Sequence, residues 1–313
     1  MRLRIVQAML LVMAGCPSAI AANRPARPAI TGISHMAVYT TDAAGAERFY
    51  AHDLGARKMS DPEDPAGVRY YFSPVQFVEV LPLPPGDSSN SRLAHVGWET
   101  NSAEGMRRYL LAQGVSVTDH LHQGSDHSVW FSLKDPEGNE LQFVQPPPAT
   151  VRPKVTPDAL SSHMIHVGFL VRSRSAEDPF YRKALGFRPY WYGGQKAGRM
   201  DWISQQVPNG TDWLEYMLLS NPGTGGANPP KVSQAHLGGM NHFSLGVRNM
   251  ESAVTLLARE DRLPAKHVGP QIGLDGKWQY NLFDPDGTRV EMMEFQPVTK
   301  PCCSPFTAAS PTR

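Results

Sequence analysis

Histidine and glutamate side chains recur in this 313-residue chain at positions that could bind a divalent metal. Four of the histidines share one setting, because each opens a short apolar run that is typical of a β-strand. They are His35, His95, His166 and His242. Imidazole and carboxylate ligands together suit the borderline divalent ions zinc, nickel, manganese, cobalt and iron(II). A single histidine in an apolar strand is more often structural. Four at one register reflect either common ancestry of the repeats or retained metal binding, and the acidic residues distinguish these two explanations.

The carboxylates favour the second half of the chain. Glu291 follows an Asp-Pro-Asp-Gly turn, whereas Gln142, a neutral and poorer ligand, follows the equivalent Asp-Pro-Glu-Gly turn. Glu215 and Glu79 lie inside short apolar runs, where a bare carboxylate is costly to bury and needs a partner. A metal is one such partner, and an outward-facing glutamate on an edge strand is the alternative. Two histidines and Glu291, with open positions, would also serve a non-haem iron(II) oxygenase.

The spacing around the four histidines predicts the elements that carry them. Seven residues after each histidine stands a side chain that can cap a helix by accepting from free backbone N–H groups. These residues are Asp42, Ser102, Ser173 and Asn249. Fifteen residues after each histidine stands a large apolar residue of a helical segment. These residues are Tyr50, Leu110, Tyr181 and Leu257. A strand, a helix and three further strands fit each repeat, which predicts four βαβββ modules.

Composition sets the predicted domain boundaries. A proline-rich stretch at 146–159 is predicted to link a first domain at 30–145 to a second domain at 160–297. The tail at 298–313 is expected to be poorly ordered, as chain ends often are. The formal net charge is only +1 and there is no basic stripe, so nucleic acid is not expected as a partner.

The N-terminus is typical of an export signal. Arginines precede an apolar run and a small-x-small cleavage site, so residues 1–22 are predicted to be a signal peptide. Cys16 gives an alternative, because the residues before it resemble a bacterial lipobox. Both interpretations predict an exported protein, periplasmic or secreted, that has no transmembrane helix after the signal is removed. If cleavage follows Ala21, only Cys302 and Cys303 remain, so a conventional disulfide framework is not expected. The pair could bind a soft metal or an arsenical, but we expect it to have no role in the site.

Paired βαβββ modules, with a histidine at the start of each first strand and a glutamate after Asp-Pro-x-Gly, resemble the vicinal oxygen chelate superfamily. Glyoxalase I, extradiol ring-cleaving dioxygenases, fosfomycin and bleomycin resistance proteins and methylmalonyl-CoA epimerase belong to it. The resemblance implies an α+β fold, in which each module pair forms a cup-shaped, eight-stranded mixed sheet around a metal. Modules pair either in cis or by swapping, and a swap would combine His35 and Glu79 with His242 and Glu291.

The resemblance also implies a ligand set, because the family's glyoxalase-type tetrad is His, Glu, His, Glu. In the second domain it falls on His166, Glu215, His242 and Glu291. In the first domain it falls on His35, Glu79, His95 and Gln142, a weakened second site. The shared chemistry is chelation of two vicinal oxygens of a small substrate, with Glu215 or Glu291 as the catalytic group that moves a proton. We therefore predict a metal-dependent lyase or isomerase of the glyoxalase-like type.

Two alternatives stay open. An iron(II) extradiol dioxygenase would use His166, His242 and Glu291, but its signature wants a tyrosine at the position of Asn281, and Tyr280 is one residue early. No histidine occupies the strand of Glu215, and His267 is the nearest acid–base candidate in the last module. A resistance-type protein would bind a small molecule without catalysis, although such proteins typically lack a full ligand set.

Aromatic and basic residues near the predicted cup rim are the candidates for substrate binding. Three tryptophans could form a stacking wall, although packing of the core explains many aromatic residues. They are Trp191, Trp202 and Trp213. Three basic residues could meet an acidic substrate group, but exposed basic residues are usually solvated surface. They are Lys196, Arg199 and Lys277. A homodimer is one expected assembly.

Overall fold

Two eight-stranded mixed sheets form the chain, and each is built from two consecutive modules. The computed structural model describes residues 25–87, 91–155, 158–196, 198–218 and 234–312, so the predicted signal at 1–22 and Cys16 lie outside the described residues. The first sheet has the strand order β2-β3-β4-β1-β5-β8-β7-β6. Its strands are β1 Ile30–Thr40, β2 Arg57–Ser60, β3 Val68–Tyr71, β4 Phe77–Pro82, β5 Leu93–Thr100, β6 His122–Gln123, β7 Val129–Lys134 and β8 Glu140–Gln145.

The second sheet repeats this topology in the order β10-β11-β12-β9-β13-β16-β15-β14. Its strands are β9 Met164–Val171, β10 Arg188–Gly193, β11 Trp202–Gln206, β12 Trp213–Leu218, β13 His242–Val247, β14 His267–Ile272, β15 Trp278–Phe283 and β16 Arg289–Glu294. β1 pairs with β5 and β9 pairs with β13, both antiparallel, so the modules pair in cis rather than by swapping. The predicted α+β fold with two mixed sheets is confirmed.

Each module carries one helix after its first strand. The helices are α1 Ala43–Glu47, α2 Ala103–Ala112, α3 Arg174–Asp178, α4 Gln234–Met240 and α5 Met250–Arg259, and π-helical turns at Arg48–Asp53 and Pro179–Ala184 extend α1 and α3. A short 3-10 turn, Ala149–Val151, lies between the two sheets, and α4 precedes the first strand of the last module. None of the helices in the described part of the chain is long and apolar enough to cross a membrane.

Three of the four predicted helix caps form as expected. The side chains of Asp42, Ser102 and Asn249 accept hydrogen bonds from the backbone N–H three residues later. Ser173 precedes α3 but makes no such bond, because its hydroxyl lies 3.0 Å from the Ser175 hydroxyl. The backbone spacing thus repeats in all four modules, while the capping bond repeats in three.

A shared hydrophobic core joins the two domains, and the Asp-Pro turns lie at its edge. The Tyr50 hydroxyl donates to Asp284 at 2.9 Å, and the Tyr181 hydroxyl donates to Asp135 at 3.1 Å. Each turn aspartate therefore accepts from a helical tyrosine of the other domain. The sequence motif predicts only that these segments are turns. It does not predict that their aspartates bind tyrosines of the other domain.

Glu177 is a buried carboxyl at this domain interface, and it makes the interface sensitive to pH. Its Oε1 accepts from the Glu137 backbone N–H at 2.9 Å, while Oε2 has no partner among the described residues. Burial, helped by the nearby charges of Asp135 and Glu137, raises the pKa of Glu177 to about 8. A raised carboxyl pKa means that the folded chain holds a proton that the unfolded chain releases near pH 4.5. Stability contributed by this group is therefore lost as the pH rises from about 4.5 through about 8.

We expect Glu177→Gln to raise the free energy of unfolding by about 2 kcal/mol at pH 8.5, because glutamine needs no proton to stay neutral. At pH 4.5 the variant and the parent are expected to have nearly equal stability. Urea unfolding at both pH values measures the difference, and Glu104→Gln, which changes an exposed glutamate of α2, is the control. An equal effect of Glu177→Gln at the two pH values would contradict the assignment.

The C-terminal tail is ordered, so the expectation that it would be poorly ordered is wrong. Thr307 donates its backbone N–H to the Tyr190 carbonyl at 3.0 Å, and the rings of Phe306 and Tyr190 lie 4.9 Å apart. Cys302 and Cys303, for which only a conventional disulfide framework was not expected, form a disulfide bond with each other. The physical reason for the order is that β10 is an edge strand, whose free backbone groups and aromatic face the tail covers.

Candidate metal centre

Central strands of the second sheet bring the predicted ligands to one face. In the cross-strand register, two adjacent rows of residues cross the sheet. One row is Ser204, Glu215, Gly168, His242 and Arg289. The next row is Trp213, His166, Ser244, Glu291 and Asn281. Alternate residues of a strand point to opposite faces, so both rows share the concave face while their sequence neighbours enter the core. All four predicted ligands therefore lie side by side.

Three of the four side chains, those of His166, Glu215 and His242, bring ligand atoms within 4.8 Å of one another, and Glu291 lies beside His166. His166 Nε2 lies 3.1 Å from His242 Nε2 and 3.3 Å from Glu291 Oε2. Glu215 Oε2 lies 3.5 Å from His242 Nε2. Metal–ligand bonds of about 2.1 Å place neighbouring ligand atoms about 3.0–3.4 Å apart in octahedral or tetrahedral geometry. The donor set therefore fits a divalent cation.

Local backbone features orient the His242 ring. Its Nδ1 lies 2.8 Å from the Met240 carbonyl, to which a protonated Nδ1 donates, leaving the Nε2 lone pair free for a metal. A Cβ added to Gly168, its cross-strand neighbour, would lie 2.2 Å from the His242 ring. Glycine at this position thus makes room for the imidazole, a requirement that becomes visible only once the register is known.

The protonation states also suit metal binding. Burial lowers the pKa of His242 well below its ordinary value, and the nearby Arg289 and His166 lower it further. Burial alone would raise the pKa of Glu291, but its contact with His166 and the charge of Arg289 outweigh burial and leave the pKa below its ordinary value. A neutral imidazole and an ionised carboxylate are the forms that bind metal.

A cavity of about 310 Å³ opens onto this cluster, and the three predicted tryptophans line it. Trp213 packs beside a ligand, with its ring centre 4.7 Å from that of His166. Trp191 donates from Nε1 to the Cys302 carbonyl at 3.2 Å, so the tail helps to close the cavity. The wall is therefore aromatic on one side and, through residues such as Gln279, polar on the other.

A dioxygenase interpretation would need a tyrosine and a histidine in the cup. The candidates, Tyr280 and His267, both lie away from it. Tyr280 pairs with the core residue Met292, and its hydroxyl lies 2.8 Å from His267 Nδ1. Asn281 pairs with Glu291 and lines the cavity instead. Because alternation separates neighbouring residues, a shift of one position in the sequence moves Tyr280 to the opposite face of the sheet.

The first domain brings three of its four predicted ligands together. His35 Nε2 lies 2.9 Å from His95 Nε2, and Glu79 Oε2 lies 3.3 Å from His95 Nε2. Gln142 donates its amide to Glu63 at 3.1 Å. This copy thus keeps a His, Glu, His cluster, while the fourth position is engaged with another side chain.

A buried arginine distinguishes the first site from the second. Arg69 Nε lies 3.3 Å from Glu79 Oε1 and 3.0 Å from Asp61 Oδ1. Arg69 is the cross-strand partner of Glu79, and the partner of Glu215 at this position is Ser204. Glu79 therefore has a built-in cation, whereas Glu215 has a hydroxyl at 3.4 Å. The sequence interpretation missed this difference.

The three basic residues considered for substrate binding have different positions. Lys196 is exposed, and Arg199 Nη2 forms an ion pair with Asp201 Oδ1 at 2.7 Å. Lys277 is fully buried, so solvated surface is the wrong interpretation for it. Burial lowers the pKa of Lys277 to about 8 and raises the pKa of the neighbouring Asp275 to about 7.

The sequence matches the Glyoxalase/Bleomycin resistance protein/Dioxygenase superfamily over residues 32–143 and 163–292. The chain therefore belongs to this superfamily, and the predicted relationship is confirmed for both domains. No curated protein matches the sequence significantly.

Similar solved structures are ring-cleaving dioxygenases. A variant of homoprotocatechuate 2,3-dioxygenase from B. fuscum has a TM-score of 0.61 at 15% identity, covering 86% of this chain and 72% of that one. A catechol 2,3-dioxygenase has a TM-score of 0.58 at 15% identity, covering 88% and 96%. The 2,3-dioxygenase LapB from Pseudomonas sp. KL28 has a TM-score of 0.61 at 13% identity, covering 88% and 97%. At this identity the likeness concerns the fold.

Proposed function

We propose that the second domain is a divalent-metal-dependent active site of the glyoxalase-like type, which isomerises or cleaves a small substrate by proton transfer. The observation that carries the proposal is the setting of Glu215. It lies in the ligand cluster and lines the cavity, and its cross-strand partner is Ser204 rather than an arginine. A carboxylate without a fixed cation is free to accept a proton from substrate.

His166, Glu215, His242 and Glu291 would hold the cation. When bound, a divalent cation acts as a Lewis acid that polarises two neighbouring substrate oxygens. Glu215 would take a proton from the substrate carbon and return it, while the Ser204 hydroxyl orients its carboxylate. Trp213 shields this face of the cavity from water and offers a flat surface for substrate packing.

A ring-cleaving, iron(II)-dependent dioxygenase is the second candidate. The similar solved structures favour it, as do His166, His242 and Glu291, which could serve as a facial triad. Glu215 in the ligand cluster and the position of Tyr280 on the core face of the sheet, away from the cup, favour proton transfer.

Anaerobic purification followed by elemental analysis and a substrate screen separates the candidates. We expect α-hydroxy-carbonyl compounds to exchange a carbon-bound proton for deuterium in heavy water without consuming oxygen. Oxygen uptake with catechols, without proton exchange, would replace the proposal by the dioxygenase. A metal-free protein that binds small molecules without converting them would favour a resistance-type binding protein.

A further inference from the structure

Two cationic side chains stand in or beside the cup of the second domain without full sets of partners. Arg289 lines the cavity, and within the described part of the chain its buried Nε has no hydrogen-bond partner. Its Nη1 makes one long contact, 3.4 Å, to Asn281 Oδ1. Because a guanidinium has five N–H donors, this one long contact leaves donors of Arg289 available to a ligand in the cavity that it lines.

Lys277 adds a second positive charge behind the cavity wall. Its Nζ lies 4.9 Å from the Trp213 ring and 5.1 Å from the Phe306 ring, and no described residue accepts a hydrogen bond from it. Contacts with aromatic faces compensate only part of the cost of burying an ammonium group. A buried cation that nearby carboxylates such as Asp275 compensate only in part raises the electrostatic potential in the neighbouring cavity, since the surrounding aromatic side chains screen it poorly.

The internal repeat shows that neither cation is needed for the fold. Counting from the Asp-Pro turns, Ser128 is equivalent to Lys277 and Glu140 is equivalent to Arg289. Glu140 lines the cavity of the first domain together with other acidic residues such as Asp61 and Glu63. The same fold therefore carries an acidic cavity in one domain and two cations in the other.

The charge balance of the loaded site leaves room for an anion. Glu215, Glu291 and Asp275 carry at most three negative charges, while Arg289, Lys277 and a divalent cation together carry four positive charges. The excess is at least one positive charge in a cavity walled by aromatic rings, where charges interact strongly.

We infer that Arg289, supported by Lys277, binds a carboxylate of the substrate while two vicinal oxygens of the same molecule lie at the metal ligands. The substrate is then an acid that carries its carboxylate apart from its chelating oxygens, with a flat group suited to the tryptophan wall. A guanidinium recognises a carboxylate through two parallel N–H bonds, which fixes both position and orientation. This inference rests on the proposed function, because it needs the metal to hold the other end of the substrate.

Anaerobic calorimetry of the metal-loaded protein with three catechols tests the inference without requiring turnover. Catechol itself supplies only the two oxygens, while 3,4-dihydroxybenzoate and 3,4-dihydroxyphenylacetate add a carboxylate at two distances. We expect at least one of the acids to bind about tenfold or more tightly than catechol, the size of one hydrogen bond to a charged group. Arg289→Gln should abolish this preference, so that the acids and catechol bind with about equal affinity.

Control variants separate charge from folding and from surface effects. Arg289→Lys should keep part of the preference, Lys277→Met should reduce it, and Lys196→Met, which changes an exposed lysine, should leave it unchanged. If Arg289→Gln fails to fold, as judged by circular dichroism and metal content, Lys277→Met still decides the outcome. The inference would be overturned if the parent bound catechol and both acids equally, or if the preference survived both Arg289→Gln and Lys277→Met. Either result would leave the proposed function standing. Failure of the metal-loaded parent to bind any of the three catechols would also overturn the inference, whereas the proposed function is tested separately by the proton-exchange assay.

Discussion

His242→Ala is expected to abolish metal binding by the second domain, whereas the matched variant His95→Ala is expected to leave the metal content of the protein unchanged. His242 supplies a buried Nε2 within 3.5 Å of both His166 and Glu215, so its loss removes a central ligand. In the first domain, Glu79 is already paired with Arg69, so the loss of His95 is expected to remove no bound metal.

Elemental analysis and metal titration after anaerobic purification measure this difference. Loss of one orienting partner of a ligand typically weakens metal binding about 10–100-fold, so loss of the ligand itself should weaken it by at least about 100-fold. His267→Ala, which changes an exposed histidine on the far face, serves as a further control. Equal metal loss in His95→Ala and His242→Ala would contradict the distinction between the two domains.

Glu215→Gln is expected to lower the rate of substrate proton exchange by about 10²–10⁴-fold while most of the bound metal remains. Glutamine keeps a carbonyl oxygen that can still serve as a weak ligand, but it cannot accept a proton at neutral pH. The measurement is deuterium incorporation into the best α-hydroxy-carbonyl compound, with metal content determined on the same sample.

Glu79→Gln is the matched control for this variant, because the repeat places Glu79 at the position of Glu215 in the other domain. Its exchange rate is expected to match that of the parent. An unchanged rate in Glu215→Gln would end the assignment of Glu215 as the base, and loss of all metal would show that Glu215 is chiefly a ligand.

The repeat made the fold predictable, since it fixes which strands begin with histidine and where each helix starts. Strand alternation then explains why all four second-domain ligands share one face. The sequence also places Asn281 rather than Tyr280 beside Glu291, and the register gives the reason.

What the sequence could not supply was the identity of cross-strand neighbours. Arg69 precedes Glu79 by ten residues, while Ser204 precedes Glu215 by eleven, so loop length hides their equivalence until the hairpins are paired. Lys277 belongs to a turn-like stretch that usually lies at the surface, and its burial depends on Phe306 from the tail. Contacts between distant segments decide such features.

Anomalous X-ray scattering at the absorption edge of the bound metal would locate the ion directly. We expect one strong peak per chain, in the second domain, between the Nε2 atoms of His166 and His242 and the carboxylates of Glu215 and Glu291. A principal peak between His35 and His95, or no peak within reach of Glu215, would contradict a catalytic metal site in the second domain.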